Sequence, residues 1–143
     1  MIRVQKEDFD LTAEYHKLIK KGESGAIVTF VGLVRDFNKG RVNESMLLQH
    51  YPGMTEKVLK KIEQEARQRW RLLETTIIHR VGELLSGDQI VLVGVSSKHR
   101  SDAFSAAQFI MDILKSEAPF WKKEGEHWVE AKSSDDKAAA RWL

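Results

Sequence analysis

Gly25-Ala26-Ile27-Val28-Thr29-Phe30-Val31-Gly32-Leu33-Val34 is rich in β-branched residues and apolar at both alternating sets of positions, the pattern of a buried central strand. It stops at the polar loop Arg35-Asp36-Phe37-Asn38-Lys39-Gly40. Gln89 to Ser96, with Ile90-Val91-Leu92-Val93-Gly94-Val95 at its heart, has the same character. Thr75 to Val81 reads as a further strand on the other side of the turn Ser86-Gly87-Asp88. Ile2 to Gln5 and Ser45 to Tyr51, the latter closed by Pro52-Gly53, are shorter strand candidates.

Helices fill the intervals. Asp10 is placed to cap a helix over Leu11 to Lys20, ended by Lys20-Lys21-Gly22 with basic residues at its negative end. From Gly53 to Arg71, Met54, Val58, Ile62, Ala66 and Trp70 recur every four residues with Leu59 beside them, an amphipathic stripe. Six basic residues against three acidic ones on this helix invite a nucleic-acid reading. Glu56/Lys60, Glu63/Arg67 and Glu65/Arg69, each with the acid first at i,i+4, favour a solvated face instead.

Ser101 is expected to cap a further helix whose Ala103, Ala106, Ala107, Ile110, Met111 and Leu114 point inward, with Pro119 forcing its end by about Glu117. Pro119 to Lys123 and His127 to Ala131 flank Gly125 as a hairpin, and Ser133-Ser134-Asp135-Asp136 opens a short terminal helix. Strands and helices are mixed without regular βαβ alternation. The fold class is α+β, with largely antiparallel strands in a single domain over residues 1–143.

The 143 residues, 42% apolar and 31% charged, suit one soluble domain and exclude a disordered chain. No stretch approaches the roughly 18 uncharged apolar residues that a membrane span needs. Met1 to Asp8 carries charge and no apolar block, so a secretory signal is not expected and a cytoplasmic location is. With no cysteine, the chain has no disulfide, thiolate metal site, cysteine nucleophile or persulfide of its own. His16, His50, His79, His99 and His127 form no metal-binding pair, and a structural role fits most of them. Nucleotide-binding and serine-hydrolase motifs are missing as well.

Net charge is only +2, so the distribution of cations matters more than their sum. Arg35 follows one apolar strand. Lys98-His99-Arg100 follows another and immediately precedes a helix start, a combination that suits an anion; the competing reading pairs Arg100 with Asp102 and His99 with backbone. Lys115 lies at the edge of the Met111 and Leu114 stripe, where desolvation or a nearby cation would lower its pKa and fit it for proton transfer; snorkelling to water is the alternative. Strand alternation points Lys122 and Lys123 to opposite faces, so that one of them can face a pocket.

The blocks Gly25 to Arg35, His50-Tyr51-Pro52-Gly53-Met54-Thr55-Glu56, Ile78-His79-Arg80-Val81-Gly82-Glu83, His99-Arg100-Ser101-Asp102-Ala103-Phe104 and Phe109 to Lys115, running on to Pro119-Phe120-Trp121-Lys122-Lys123-Glu124, closely resemble the MoaE family. These are the large, catalytic subunits of molybdopterin synthase. Gln49 stands where many members carry an acid.

The resemblance implies an α/β hammerhead fold and a sulfurtransferase. The family's substrate is cyclic pyranopterin monophosphate. Its sulfur comes from the C-terminal thiocarboxylate of a small, ubiquitin-like sulfur-carrier subunit (MoaD-like), and the product is the dithiolene of molybdopterin. A homodimer within a heterotetramer is implied, with no further cofactor, metal, membrane or nucleic acid. Lys115 takes the place of the family's catalytic lysine and Lys122 of a second active-site lysine, while Arg35, His99 and Arg100 match substrate-binding positions. Family pockets also draw residues across the dimer, so His99 and Arg100 belong either to their own subunit's site or to the neighbour's. The rival readings are a non-catalytic scaffold for a ubiquitin-like partner and a basic nucleic-acid-binding module.

Overall fold

The computed structural model describes residues 1–35, 45–124, 127–129 and 133–143. The expected α+β class is found, built on two four-stranded sheets. In the first, the order is β1 (Ile2–Gln5), β4 (Glu74–Arg80), β6 (Gln89–Ser97), β2 (Ala26–Leu33), with β1 parallel to β4 and the other pairs antiparallel. In the second, the order is β5 (Gly82–Leu84), β3 (Met46–His50), β7 (Phe120–Glu124), β8 (His127–Val129), antiparallel throughout. The hairpin expected around Gly125 is thus β7 and β8; Gly125 itself and the anticipated end of the second strand at Ala131 lie outside the described residues, as does the loop Asp36 to Gly40.

One residue moves the chain between sheets. β4 ends at Arg80, and Gly82, at φ +92°, turns the backbone into β5 of the other sheet. Only glycine takes that conformation without strain.

Helix α2 (Met54–Arg69) and helix α3 (Arg100–Glu117) cover one face of the first sheet. Leu59, Ile62 and Ala66 from α2 meet Ala103, Ala106 and Ile110 from α3 over Ile77, Val93 and Val95. Helix α1 (Leu11–Leu18) covers the other face, where Phe9 packs with Ile78 and Leu92, and Gly94 leaves room for Leu18. A smaller cluster of Val34, Met46, Leu48, Val81 and Leu84 fills the space where the two sheets meet. Helix α4 (Ser133–Ala140) follows the hairpin, and beyond it Trp142 wedges against Trp70 and Phe109 and donates from Nε1 to Asp112 Oδ2 at 2.7 Å.

Several expectations are corrected. The Gly25 to Val34 stretch is a strand but neither central nor buried: among the described residues only β6 pairs with it, α3 packs against it, and no residue of Ala26–Leu33 is buried, Phe30 being 43% and Leu33 55% exposed. α1 stops at Leu18 rather than Lys20, because the Lys20 amide donates to Ser24 Oγ and the Lys20 carbonyl accepts from Glu23 and Ser24, closing a turn. Asp10 does cap it, its carboxylate accepting from the Thr12 and Ala13 amides at 3.0 and 3.3 Å. α3 begins one residue before Ser101, with His99 at the N-cap and no side chain capping it.

The three anticipated ion pairs on α2 are not found among the described residues. Other partners take those groups: Glu63 accepts from the Met1 amino terminus and from Thr75 Oγ1, Arg67 donates to Thr75 Oγ1, Glu65 lies 4.0 Å from Lys61 one turn earlier, and Glu56 accepts from the Gly53 amide. Arg69 lies over the Phe109 ring and donates to the Trp142 carbonyl.

Candidate active site

The predicted site residues fall at two ends of the first sheet. β2 and β6 are antiparallel, with Leu33 opposite Gln89 and Ala26 opposite Ser97. Arg35 therefore emerges where β6 begins. Its approach is pinned, since the Val34 amide donates to the Asp88 carbonyl and the Val34 carbonyl accepts from Gly87. His99 and Arg100 follow the other end of β6, where the Gly25 amide donates to the Ser97 carbonyl at 2.9 Å. Ten residues of extended chain separate Gly25 from Arg35, roughly 33 Å.

α3 starts beside the end of β6 and packs back along β6 and β2, so Lys115 arrives at the Arg35 end. From Arg100 to Lys115 the helix rises about 23 Å. Lys115 is exposed beyond the buried Leu114, so in the single chain its stem reaches past the apolar stripe. All three cations Arg35, His99 and Arg100 are exposed, and among the described residues no acid lies within ion-pair distance of Arg35 or Arg100.

The register of β7 on β3 decides which lysine faces inward. Lys122 stands opposite Leu48 and Phe120 opposite His50. Directly opposed residues of an antiparallel pair share a face, and Leu48 is 1% exposed. Lys122 and Phe120 thus face the interior side, while Lys123 shares the other face with Trp121.

Behind the lysines lies a residue that sequence reasoning left among the structural histidines. His79, opposite Val91, occupies the same face of β4 as Ile77, the face beneath α3. Its ring stacks on Phe120, with centroids 3.8 Å apart and planes 19° from parallel. Nδ1 lies 2.9 Å from the Arg80 carbonyl, which can only accept, so Nδ1 carries the proton and Nε2 keeps its lone pair. Burial pushes the His79 pKa down to about 3; the Arg80 hydrogen bond opposes that, and Lys115, Lys122 and His50 reinforce it. Both lysines therefore lie within electrostatic reach of one buried imidazole. The signal available in sequence was the two-residue period of Thr75 to Val81, which aligns His79 with Ile77.

His50 stands on the far side of Phe120, with its ring centroid 6.3 Å away. Thr55 donates its hydroxyl proton to the Tyr51 carbonyl, so its oxygen accepts from His50 Nδ1 at 3.0 Å. The Glu56 carboxylate lies 3.9 Å from the same nitrogen.

The arrangement brings a buried imidazole, the Phe120 ring and the inward face of β7 together where the two sheets meet. The family model described as MoaE protein matches residues 4–117. The molybdopterin synthase catalytic subunit of Vibrio cholerae is 54% identical over 99% of this chain and 97% of its own length. Among solved structures, the molybdopterin biosynthesis MoaE protein of Burkholderia ambifaria superposes with a TM-score of 0.84 at 54% identity, covering 99% of this chain and 96% of that one. Molybdopterin synthase from Staphylococcus aureus superposes with a TM-score of 0.81 at 34% identity, covering 89% of this chain and 95% of that one.

Proposed function

The chain belongs to the MoaE family, and on that premise we propose that it is the catalytic subunit of molybdopterin synthase, a sulfur-transfer enzyme of molybdenum cofactor biosynthesis. It works as a single domain that receives sulfur from the thiocarboxylated C-terminus of a small ubiquitin-like subunit. The acceptor is cyclic pyranopterin monophosphate. The observation that carries this reading is the near full-length likeness to the Vibrio cholerae molybdopterin synthase catalytic subunit, 54% identical over 99% of this chain; the register that turns Lys122 to the face of the buried Leu48 supports the site.

Each residue then has a task set by its chemistry. The chain holds no cysteine, so the reacting sulfur must be brought to it. A thiocarboxylate is an anion, and paired ammonium groups draw it in and stabilise the charge that develops as its sulfur attacks the pterin side chain. One of the lysines also supplies or removes a proton at that carbon framework. Arg35, at the same end of the sheet, offers a charge-assisted contact to the substrate phosphate.

His99 and Arg100 stand too far from Lys115 to join it within one chain. The free edge of β2 supports a second copy as their route to the site. Among the described residues the outer edge of β2 is unpaired, and with Phe30 and Leu33 exposed it is a template for another strand; a two-fold pairs β2 with itself in antiparallel sense. Centred near Phe30, that pairing sets Arg35 of one copy beside Gly25 of the other, and hence beside the other's His99 and Arg100. It also lays the exposed Leu33 over the hollow that Tyr15, Ile19 and Ile27 line at the opposite end of the strand.

The engagement of Arg67 and Arg69 within the fold weighs against a nucleic-acid surface on α2. Among the described residues no helix is long and apolar enough to cross a membrane, and the reaction's small, phosphorylated substrate fits a cytoplasmic site. The deciding experiment incubates the chain with the thiocarboxylated small subunit and cyclic pyranopterin monophosphate and detects dithiolene product. Product is expected only with the partner present; turnover with free sulfide alone at comparable concentration overturns the reading.

A further inference from the structure

We propose that His79 is a positioning residue of this site: its fixed ring is the platform that holds Phe120, and through Phe120 keeps Lys122 facing Lys115. The proposal rests on the reading of Lys115 and Lys122 as the reacting pair.

The two lysines belong to different parts of the fold. Lys115 is on α3, which packs on the first sheet, and Lys122 is on β7, whose strand partners are β3 and β8 of the second. Among the described residues no ladder hydrogen bond joins β7 to the first sheet. α3 runs into β7 through Ala118 and Pro119, which fixes where Phe120 begins, and the orientation of β7 beyond that point is set against the first sheet by side-chain packing where the sheets meet. There, His79 and Phe120 stack.

His79 is the rigid half of that pair. It sits on β4, flanked by Val4 of β1 and Val91 of β6, is 7% exposed, and has its ring orientation set by the bond from Nδ1 to the Arg80 carbonyl. Phe120 is the transmitting half. It precedes Lys122 by two residues on the same face of β7, so a shift of the Phe120 ring carries over to the lysine within about 7 Å of strand. An imidazole also suits the place electrically: held neutral by burial, it adds no third cation beside two lysines.

The test measures single-turnover product formation by the full chain with saturating thiocarboxylated small subunit and cyclic pyranopterin monophosphate, alongside substrate and partner affinity. His79→Leu removes the flat ring and is expected to slow turnover about tenfold, as a misplaced catalytic group does, with both affinities within about twofold of wild type. His79→Phe restores a stackable ring and is expected to recover the rate to within about threefold, even though the Arg80 carbonyl loses its donor and the melting temperature falls. Phe120→Leu should reproduce the His79→Leu rate, and the double variant should be no slower than either single one.

A wild-type rate in His79→Leu, a loss that His79→Phe does not repair, or a loss confined to KM overturns the proposal. Should His79→Leu not fold, Phe120→Leu with a wild-type rate overturns it equally. Lys115→Ala in the same assay separates the premise: if that variant keeps its rate, the lysine reading fails whatever His79 does.

Discussion

The imidazole of His79 lies flat on the ring of Phe120, 3.8 Å between centroids, joining a strand of the first sheet to a strand of the second. Phe120 shares its face of β7 with Lys122, so the contact backs the strand face that carries that lysine. The Glu56 carboxylate, 3.9 Å from His50, is also engaged by the Gly53 amide.

Burial of His79 links stability to pH. Its folded pKa is about 3 against an ordinary 6.5, so between those values the unfolded chain takes up a proton that the folded chain refuses. Stability is full above about pH 6.5 and declines as pH falls toward 3, by up to about 1.4 kcal/mol per unit from this group. Asp8, whose carboxyl is held low chiefly by its hydrogen bond from Gln89, adds a further loss in the same direction at the acid end. Thermal melts of wild type and His79→Phe from about pH 7 to about pH 4 should show the flatter profile in the variant. Parallel profiles would mean that His79 is not the buried base.

Lys115 separates charge from proton transfer. Lys115→Arg keeps a cation on a long stem but does not readily release a proton, and Lys115→Ala removes both. Because the side chain is exposed, both variants should fold and bind the small subunit normally. If proton transfer is the task, both should lose about 10²-fold or more in single-turnover rate. Lys115→Ala with a near wild-type rate would pass the role to Lys122.

Sequence periodicity reports which faces of an element are covered, and to that extent the fold was legible. Gly25 to Val34 read correctly as a strand apolar on both faces. Its edge position was not legible, because a strand apolar on both faces shows the same pattern whether one or both of its edges are paired. Local chemistry was equally uneven. Asp10 caps α1 as its type and place suggest, whereas α3 starts at Arg100 because β6 runs on to Ser97, a length set by pairing with Ala26. The α2 acids were matched to bases four residues on, yet Glu63 found a better partner in the amino terminus, which only the tertiary fold brings near. For the site, lysine and arginine positions could be named from sequence; the His79 platform needed the register that stacks it on Phe120.

Gly25 is predicted to guard the turn that carries His99 and Arg100. A Cβ built there collides with the Lys98 carbonyl oxygen, a backbone atom that cannot rotate aside. Gly25→Ala should therefore cost about 1–3 kcal/mol as an overpacked position and shift the Lys98 to Arg100 segment. Denaturant titration gives the first quantity. Substrate affinity should fall beyond what the stability loss explains, and an unchanged affinity in the folded variant would detach this turn from the site.

The division of the cations between the two ends of the first sheet makes subunit mixing decisive. If Arg100 serves the neighbouring copy, a dimer of one Lys115→Ala chain and one Arg100→Ala chain contains one site lacking both groups and one site lacking neither. Each variant alone forms dimers in which every site is damaged. Co-refolding the two inactive variants should then restore activity, up to about half the wild-type rate per mixed dimer, since one of two symmetric sites is intact. If Arg100 acts on its own chain, one site lacks Lys115, the other lacks Arg100, and mixing restores nothing. The distance of about 23 Å along α3 between Arg100 and Lys115 is the reason to expect recovery. Differently tagged chains, purified as the mixed species and assayed with the thiocarboxylated partner, give the answer from one rate.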